Sequence, residues 1–205
     1  MLSCAKRTVV TDLSSDIIGC RLCRDRFEAT STGHDPRPVV WFDQRARLLI
    51  AGQAPGMRVY NSGRPFTDPS GDRLRDWLGV SPDVFYDRSK VAIVPMAFCF
   101  PGYSDNGSDL PPPTICRDTW HDRVMESLPD IRLRVIIGGY AMAYHLGRKQ
   151  PVTEAVRHWA MRDDEVFVLP HPSWRNTGWL KRNPWFADDV LPRLRNRVRE
   201  LLDDG

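Results

Sequence analysis

The sequence lacks any long apolar run. None of its apolar stretches approaches the roughly eighteen residues that a helix needs to cross a bilayer. The first seven residues also lack the apolar core of a secretory signal peptide, so we expect a cytoplasmic protein without a membrane partner. No internal repeat and no break in composition marks a second domain. We therefore expect a single domain, residues 1–205, that is monomeric.

The sequence also has little excess charge of either sign. Its 29 basic and 26 acidic residues give a net charge of +3, which argues only weakly for an anionic partner. Basic residues are concentrated near the carboxyl end, where Arg175 and Lys181 precede several more arginines. The simpler interpretation is a solvated amphipathic helix, and the alternative is a patch that contacts a nucleic-acid backbone.

Regular structure is predicted by short apolar runs and by helical periodicity. Four strands are predicted, over residues 47–51, 91–94, 134–137 and 166–169. Helices are predicted over residues 71–78, 115–128, 140–146, 152–159 and 184–202. Strands that alternate with helices indicate an α/β fold whose parallel sheet is covered on both faces. Residues 24–46 and 99–114 show no regular pattern, and the second is a Pro-rich loop long enough to need an anchor.

Cysteine is scarce, but four of the five cysteines are spaced as metal ligands. Cys20 and Cys23 form a C-x2-C turn that can present two thiolates to one metal, and Cys99 and Cys116 bracket the Pro-rich loop. One centre bound by all four would anchor both irregular stretches, with zinc and an iron-sulfur cluster both open. Buried free thiols are the alternative. A redox-active C-x2-C is less expected, because no strand and helix flank it as such a motif requires. Disulfides are not expected in a cytoplasmic chain. Cys4 is assigned no role.

Two of the predicted strands end in polar, turn-forming residues. Residues 52–56 follow the first strand, with Gln53 as their polar side chain, and His171 comes directly after the last strand. Because the carboxyl ends of parallel strands meet at one edge of a sheet, we expect a ligand cleft there. Phe66 is either a core residue or a stacking face for a ligand. Asp68 is either an N-cap or turn residue or part of the cleft, whereas for Asp72 the role of an N-cap or turn residue is the expected one.

Taken in order, these motifs resemble the uracil-DNA glycosylase superfamily, and specifically its iron-sulfur branches, called families four and five. The resemblance rests on the C-x2-C pair, residues 52–56, residues 63–67, the cysteines around the Pro-rich loop and residues 171–173. It implies a three-layer α/β/α fold with a four-stranded parallel sheet. It also implies hydrolysis of the N-glycosidic bond of uracil, or of a related deaminated base, flipped out of DNA. The cofactor it implies is a 4Fe-4S cluster, with zinc as the less expected occupant, on Cys20, Cys23, Cys99 and Cys116.

The resemblance also assigns roles to the residues of the expected cleft. Phe66 would stack on the base, and the backbone near Gln53 and Ala54 would hold its carbonyl edge. His171 would stabilise the negative charge that develops on the leaving base. Further contacts are expected from Ser173 and Asn176 with the base, and from Trp174, Arg175 and Lys181 with the DNA.

The sequence departs from the family patterns at two places. Family four usually has Glu at the position of Gln53 and Asn at the position of Pro95. Family five lacks polar groups at both positions and uses an Asp, which corresponds to Asp68, to direct water. Gln53 cannot act as a general base, because an amide has no useful proton affinity at neutral pH. We therefore expect bond cleavage to run ahead of water attack, with His171 and Asp68 as the catalytic residues. Two other functions stay open: a weak or inactive DNA-binding member of the same fold, and a zinc-stabilised enzyme of another class.

Overall fold

The computed structural model describes residues 12–147, 150–160, 162 and 165–203. Cys4 and the start of the chain, where a signal peptide was not expected, lie outside these ranges. Four parallel strands form one sheet in the order β2-β1-β3-β4. The strands are β1 (Leu48–Ala51), β2 (Val91–Ile93), β3 (Leu133–Ile137) and β4 (Val166–Leu169). Each lies within one residue of its predicted bounds, so the four strand predictions are confirmed.

Helices precede, connect and follow these strands. They are α1 (Leu13–Ile18), α2 (Arg24–Glu28), α3 (Met57–Ser62), α4 (Pro69–Leu78), α5 (Pro82–Tyr86), α6 (Thr114–Glu126), α7 (Gly138–His145), α8 (Val152–Ala160), α9 (Thr177–Arg182) and α10 (Leu191–Asp203). A 3-10 turn occupies Trp174–Asn176, and a π-helical turn over Phe186–Val190 leads into α10. The prediction that residues 24–46 lack regular structure is wrong at its start, where α2 lies, because a five-residue helix is too short to show a period.

The sheet is covered on both faces, as the alternation of strands and helices predicted. Successive strand residues point to opposite faces, so Ile50 packs with Leu74 of α4 and Leu194 of α10, while Leu49 packs with Val124 of α6. The protein thus has the expected three-layer α/β/α architecture. Across the described residues, the structure has no helix that combines the length and apolar character required to span a membrane.

One residue of the core is polar without a partner. The side chain of His121 on α6 is completely buried, and neither of its ring nitrogens makes a hydrogen bond within the described chain. Its ring packs against Phe98, with 5.8 Å between ring centroids, and against Tyr144 at 5.4 Å. Desolvation by burial lowers the pKa of His121 to about 4, although the nearby Pro95 carbonyl favours the charged form. His121 is therefore neutral at physiological pH.

Candidate active site

A cleft of about 510 Å³ opens at the carboxyl end of the sheet. The chain passes from β1 to β2 on one side and then to β3 on the other side of β1, which is the switch point where open α/β sheets bind ligands. The cleft therefore lies where the polar strand ends predicted it. The predicted site residues that line it are Gln53, Ala54, Phe66, Asp68, His171, Ser173, Trp174 and Arg175.

The turn after β1 presents backbone amides to this cleft. Its first two carbonyls are already used, since Met96 N donates to Gly52 O at 2.9 Å and Ala97 N donates to Gln53 O at 3.2 Å. Within the described chain, the N–H groups of Gln53 and Ala54 have no acceptor, so they are available to a ligand. Pro95 is buried and also lines the cleft, and it offers no side-chain hydrogen bond there.

Phe66 is held in an unusual backbone conformation. Its φ of 52° is the only positive φ of a non-glycine residue in the described ranges, and such a conformation is strained for a residue with a bulky side chain. The ring meets Phe85 edge to face, with 6.0 Å between centroids, and one side of it lines the cleft. Phe66 thus packs on the core and also presents an aromatic face to a ligand.

Asp68 caps a helix and lines the cleft at the same time. It is the N-cap of α4, where its Oδ1 accepts hydrogen bonds from Ser70 Oγ at 2.6 Å and from Gly71 N at 3.3 Å. Its Oδ2 has no partner within the described chain and is available to water or substrate. The prediction that Asp72 is an N-cap is wrong, because the helix begins earlier and Asp72 pairs with Arg75 at 2.6 Å.

Local hydrogen bonds fix the loop that carries His171. Ser173 N donates to His171 Nδ1 at 3.2 Å, and the Asn176 side-chain amide donates to the His171 carbonyl at 2.7 Å. From α4, Arg73 donates to the Ser173 carbonyl at 3.0 Å, which joins the loop to the helix that Asp68 caps. The structure therefore uses Asn176 to shape the loop, and Asn176 does not line the cleft.

The His171 ring is a hydrogen-bond donor in its neutral form. Since Nδ1 accepts from Ser173 N, the proton of the neutral ring lies on Nε2. Desolvation by the surrounding protein lowers the pKa of His171 and outweighs the carboxylates of Asp68 and Asp109, which favour the charged form. A neutral imidazole with an Nε2–H group can donate to an oxygen that becomes negative during a reaction.

Trp174 and Arg175 form the rim of the cleft on the side of His171. The Trp174 side chain is 77% exposed, which is unusual for the largest apolar residue and indicates a contact surface. Arg175 lies beside it in the same 3-10 turn. Lys181 is exposed on α9 and does not line the cleft, so the structure does not bring it together with the other predicted residues.

Sequence analysis missed a second carboxylate in the cleft, that of Asp109. It lies in the Pro-rich loop, where an isolated antiparallel bridge joins Tyr103 to Asp109 and Leu110 N donates to Gly102 O at 2.9 Å. Desolvation raises the pKa of Asp109, and this is opposed by the positive charge of Arg175 and, when its ring is protonated, by that of His171. In the sequence, Asp109 is only an acidic residue in a loop that was expected to need an anchor. Its pairing with Tyr103 cannot be seen from the sequence.

The four predicted ligand cysteines line one apolar cavity. This cavity lies between α1, α2, the Pro-rich loop and α6, and its cysteines are Cys20, Cys23, Cys99 and Cys116. Two sulfurs face backbone donors: Phe98 N donates to Cys116 Sγ at 3.4 Å, and Arg37 N faces Cys99 Sγ. Buried His34 ties the two irregular stretches together, since its Nε2 lies 3.0 Å from the Phe100 carbonyl oxygen. The thiols predicted to share one centre thus lie around one space.

Burial disfavours the thiolate form of three of these cysteines. Burial raises the pKa of Cys116 to about 12 and also raises those of Cys99 and Cys23. As they stand in the described part of the chain, no three His, Cys, Asp or Glu side chains are arranged to hold a metal ion. Four thiols around an apolar space, with N–H donors to sulfur, nevertheless match the donor set that thiolate-ligated metal centres require.

Comparison with known families identifies the family of this chain. The family model described as the uracil DNA glycosylase superfamily matches residues 39–195, well over half of the chain. The matched segment contains all four strands and every cleft residue discussed above. The chain belongs to the uracil DNA glycosylase superfamily.

Proposed function

We propose that this protein excises uracil, or a related deaminated base, from DNA by hydrolysing the N-glycosidic bond. The observation that carries the proposal is the convergence of three groups in one cleft: the strained aromatic residue Phe66, the neutral histidine His171 and the carboxylate of Asp68. The family supports a glycosylase in general. The base and the residue roles are our inference.

The cleft suits a base that has left the DNA stack. Flipping a base out costs a few kcal/mol, and stacking on an aromatic ring such as Phe66 offsets part of that cost. The amides of Gln53 and Ala54 can donate to a carbonyl of the base, and His171 Nε2 can donate to another. Trp174, Arg175 and the more distant Lys181 would contact the DNA around the lesion.

Bond cleavage ahead of water attack fits these groups. The bond between the base nitrogen and C1′ breaks, its electron pair stays with the base, and the sugar becomes a cation. His171 Nε2–H stabilises the anionic base, while the carboxylate of Asp68 stabilises the cation through charge. Asp68 Oδ2 orients the water that then attacks C1′ and accepts its proton. Gln53 takes no part in proton transfer because an amide is not a base.

The cysteine cavity would hold a 4Fe-4S cluster on Cys20, Cys23, Cys99 and Cys116. Such a cluster would fix the Pro-rich loop to the N-terminal helices and would supply no chemistry to excision. Zinc is the alternative occupant. Broad absorption near 400 nm, roughly where iron-thiolate charge transfer is expected, together with bound iron in anaerobically purified protein, would support the cluster.

Excision can be tested with a uracil-containing oligonucleotide and an alkali-cleavage gel. We expect wild-type protein to give an alkali-labile abasic product, and His171→Ala and Asp68→Asn each to slow single-turnover excision by about a hundredfold or more. Asp76→Asn, on the exposed end of α4, is a matched control that should leave the rate unchanged. Tight binding without any abasic product would instead indicate an inactive DNA-binding protein.

A further inference from the structure

We propose that Tyr86 and Arg75 act as positioning residues for the base-stacking ring of Phe66. They hold the Phe66 carbonyl and thereby keep Phe66 in its left-handed conformation; we call this pair the carbonyl clamp. The role of Phe66 in this inference rests on the proposed function. Tyr86 and Arg75 do not line the cleft, and neither is assigned above to catalysis.

The clamp consists of two donors on one backbone oxygen. Tyr86 Oη donates to Phe66 O at 2.9 Å, and Arg75 Nη1 donates to the same oxygen at 3.3 Å. Arg75 Nη1 also donates to Tyr86 Oη at 3.1 Å, so the three groups form a closed triangle. Both donors come from helices, Arg75 from α4 and Tyr86 from the end of α5.

Packing fixes the two donors in turn. The Arg75 side chain is only 12% exposed and lies over the Phe85 ring at 5.3 Å from the centroid, whereas its carboxylate partner Asp72 is 78% exposed. The guanidinium of Arg64 lies over the Tyr86 ring, 3.5 Å from its centroid. A buried guanidinium and a covered phenol ring have few other orientations, so the clamp is rigid.

A third contact leaves no room for the Phe66 carbonyl to move towards α4. A Cβ atom built on Gly71 would overlap that carbonyl oxygen and come within 2.9 Å of Phe66 Cβ. The backbone at Phe66 is therefore confined by the close approach of Gly71 and bonded by the two donors of the clamp. Strained φ values persist only where the surroundings over-determine them, and they cluster at ligand sites.

The position of the ring follows from the carbonyl. Rotation of Phe66 out of φ 52° would turn the peptide and carry the ring away from Phe85 and the cleft. Without the Tyr86 hydroxyl, the strained conformer is populated less, and the ring meets the flipped base less often. Loss of the clamp should therefore weaken steps that involve the base and spare contacts that involve only the DNA backbone.

The test compares Tyr86→Phe with Tyr144→Phe. The second substitution also removes one hydroxyl hydrogen bond, to Asp122 at 3.3 Å, and neither Tyr144 nor Asp122 lines the cleft. Single-turnover excision is measured on a single-stranded uracil oligonucleotide. Affinity is measured for two further strands: one with 2′-fluoro-2′-deoxyuridine, which resists cleavage because fluorine disfavours the cationic sugar, and one with a tetrahydrofuran abasic analogue.

We expect Tyr86→Phe to lower the excision rate at least threefold and the affinity for the fluorinated strand at least threefold. Its affinity for the abasic strand should be unchanged. The Tyr144→Phe protein should match the wild type in all three measurements. A smaller effect on the fluorinated strand, or an equal loss on the abasic strand, overturns the clamp. If Tyr86→Phe does not fold, Arg75→Lys, which keeps the charge and removes the forked donor, decides by the same readouts. A wild-type protein that excises nothing refutes the proposed function, whereas the affinity comparison still decides the clamp.

Discussion

Buried His121 should make the protein lose stability in mild acid. Its native pKa is lowered from 6.5 to about 4, so below pH 6.5 the unfolded chain takes up a proton that the folded chain refuses. Full stability is present above pH 6.5 and is lost as the pH falls towards 4. From these two pKa values the loss is about 1 kcal/mol at pH 5.5 and between about 2 and 3 kcal/mol at pH 4.5.

The substitution that isolates this effect is His121→Leu. Leucine has nearly the same volume and suits the surroundings of Phe98 and Tyr144, so stability at pH 7.5 should change by less than about 1.5 kcal/mol. Urea unfolding is followed at pH 7.5, 5.5 and 4.5 for both proteins. The free energy of unfolding of the wild type should fall further with pH than that of the variant, by the amounts above.

His158→Leu is the matched control, because His158 lies on the partly exposed face of α8 and bonds Arg162 rather than being buried. The free energy of unfolding of this variant should change with pH as that of the wild type does. Metal content is measured at each pH, since acid release of a bound metal would destabilise wild type and variant alike. Parallel pH profiles for wild type and His121→Leu would refute the reasoning.

Two further predictions concern the cleft. Asp109→Asn should slow single-turnover excision by at least about tenfold, because it removes a carboxylate that faces His171 and Arg175. Asp105→Asn, in the same loop, should leave the rate unchanged. Equal rates for the two variants would show that Asp109 takes no part in the reaction. Trp174→Ala should change stability by less than about 0.5 kcal/mol. The same substitution should lower excision from duplex about fivefold more than from single strands, because only duplex must be opened; an equal loss on both substrates would argue against this role.

Much of the fold could be predicted because its signals are local. Each strand is a short apolar run bounded by turn residues, and the helices α4, α6, α7 and α8 lie close to their predicted ranges. Helices of five or six residues, such as α2 and α5, were not predicted, since one turn and a half carries no period. The start of α4 was also misplaced, because both Asp68 and Asp72 are plausible caps and only the fold shows which carboxylate meets Gly71 N.

The candidate site was predictable where it follows strand ends and unpredictable where it depends on distant contacts. His171 and Gln53 could be placed because each follows a strand of a parallel sheet. The conformation of Phe66 depends on hydrogen bonds from Tyr86 and Arg75, and no local pattern encodes them. Asp109 reaches the cleft only because its loop folds back on itself, which composition cannot show.

The order of the strands also determines when the cleft can exist during synthesis. The residues after β1 emerge early, but His171 follows β4, which pairs only with β3 and comes from the last part of the chain. Helix α10, later still, packs on α4 through Arg195, whose Nε donates to the Asp76 carbonyl at 3.1 Å. Because a nascent chain folds from its amino end, an incomplete chain has the Phe66 side of the cleft without the histidine. A ribosome-bound or truncated product would therefore lack the histidine that the proposed base excision requires.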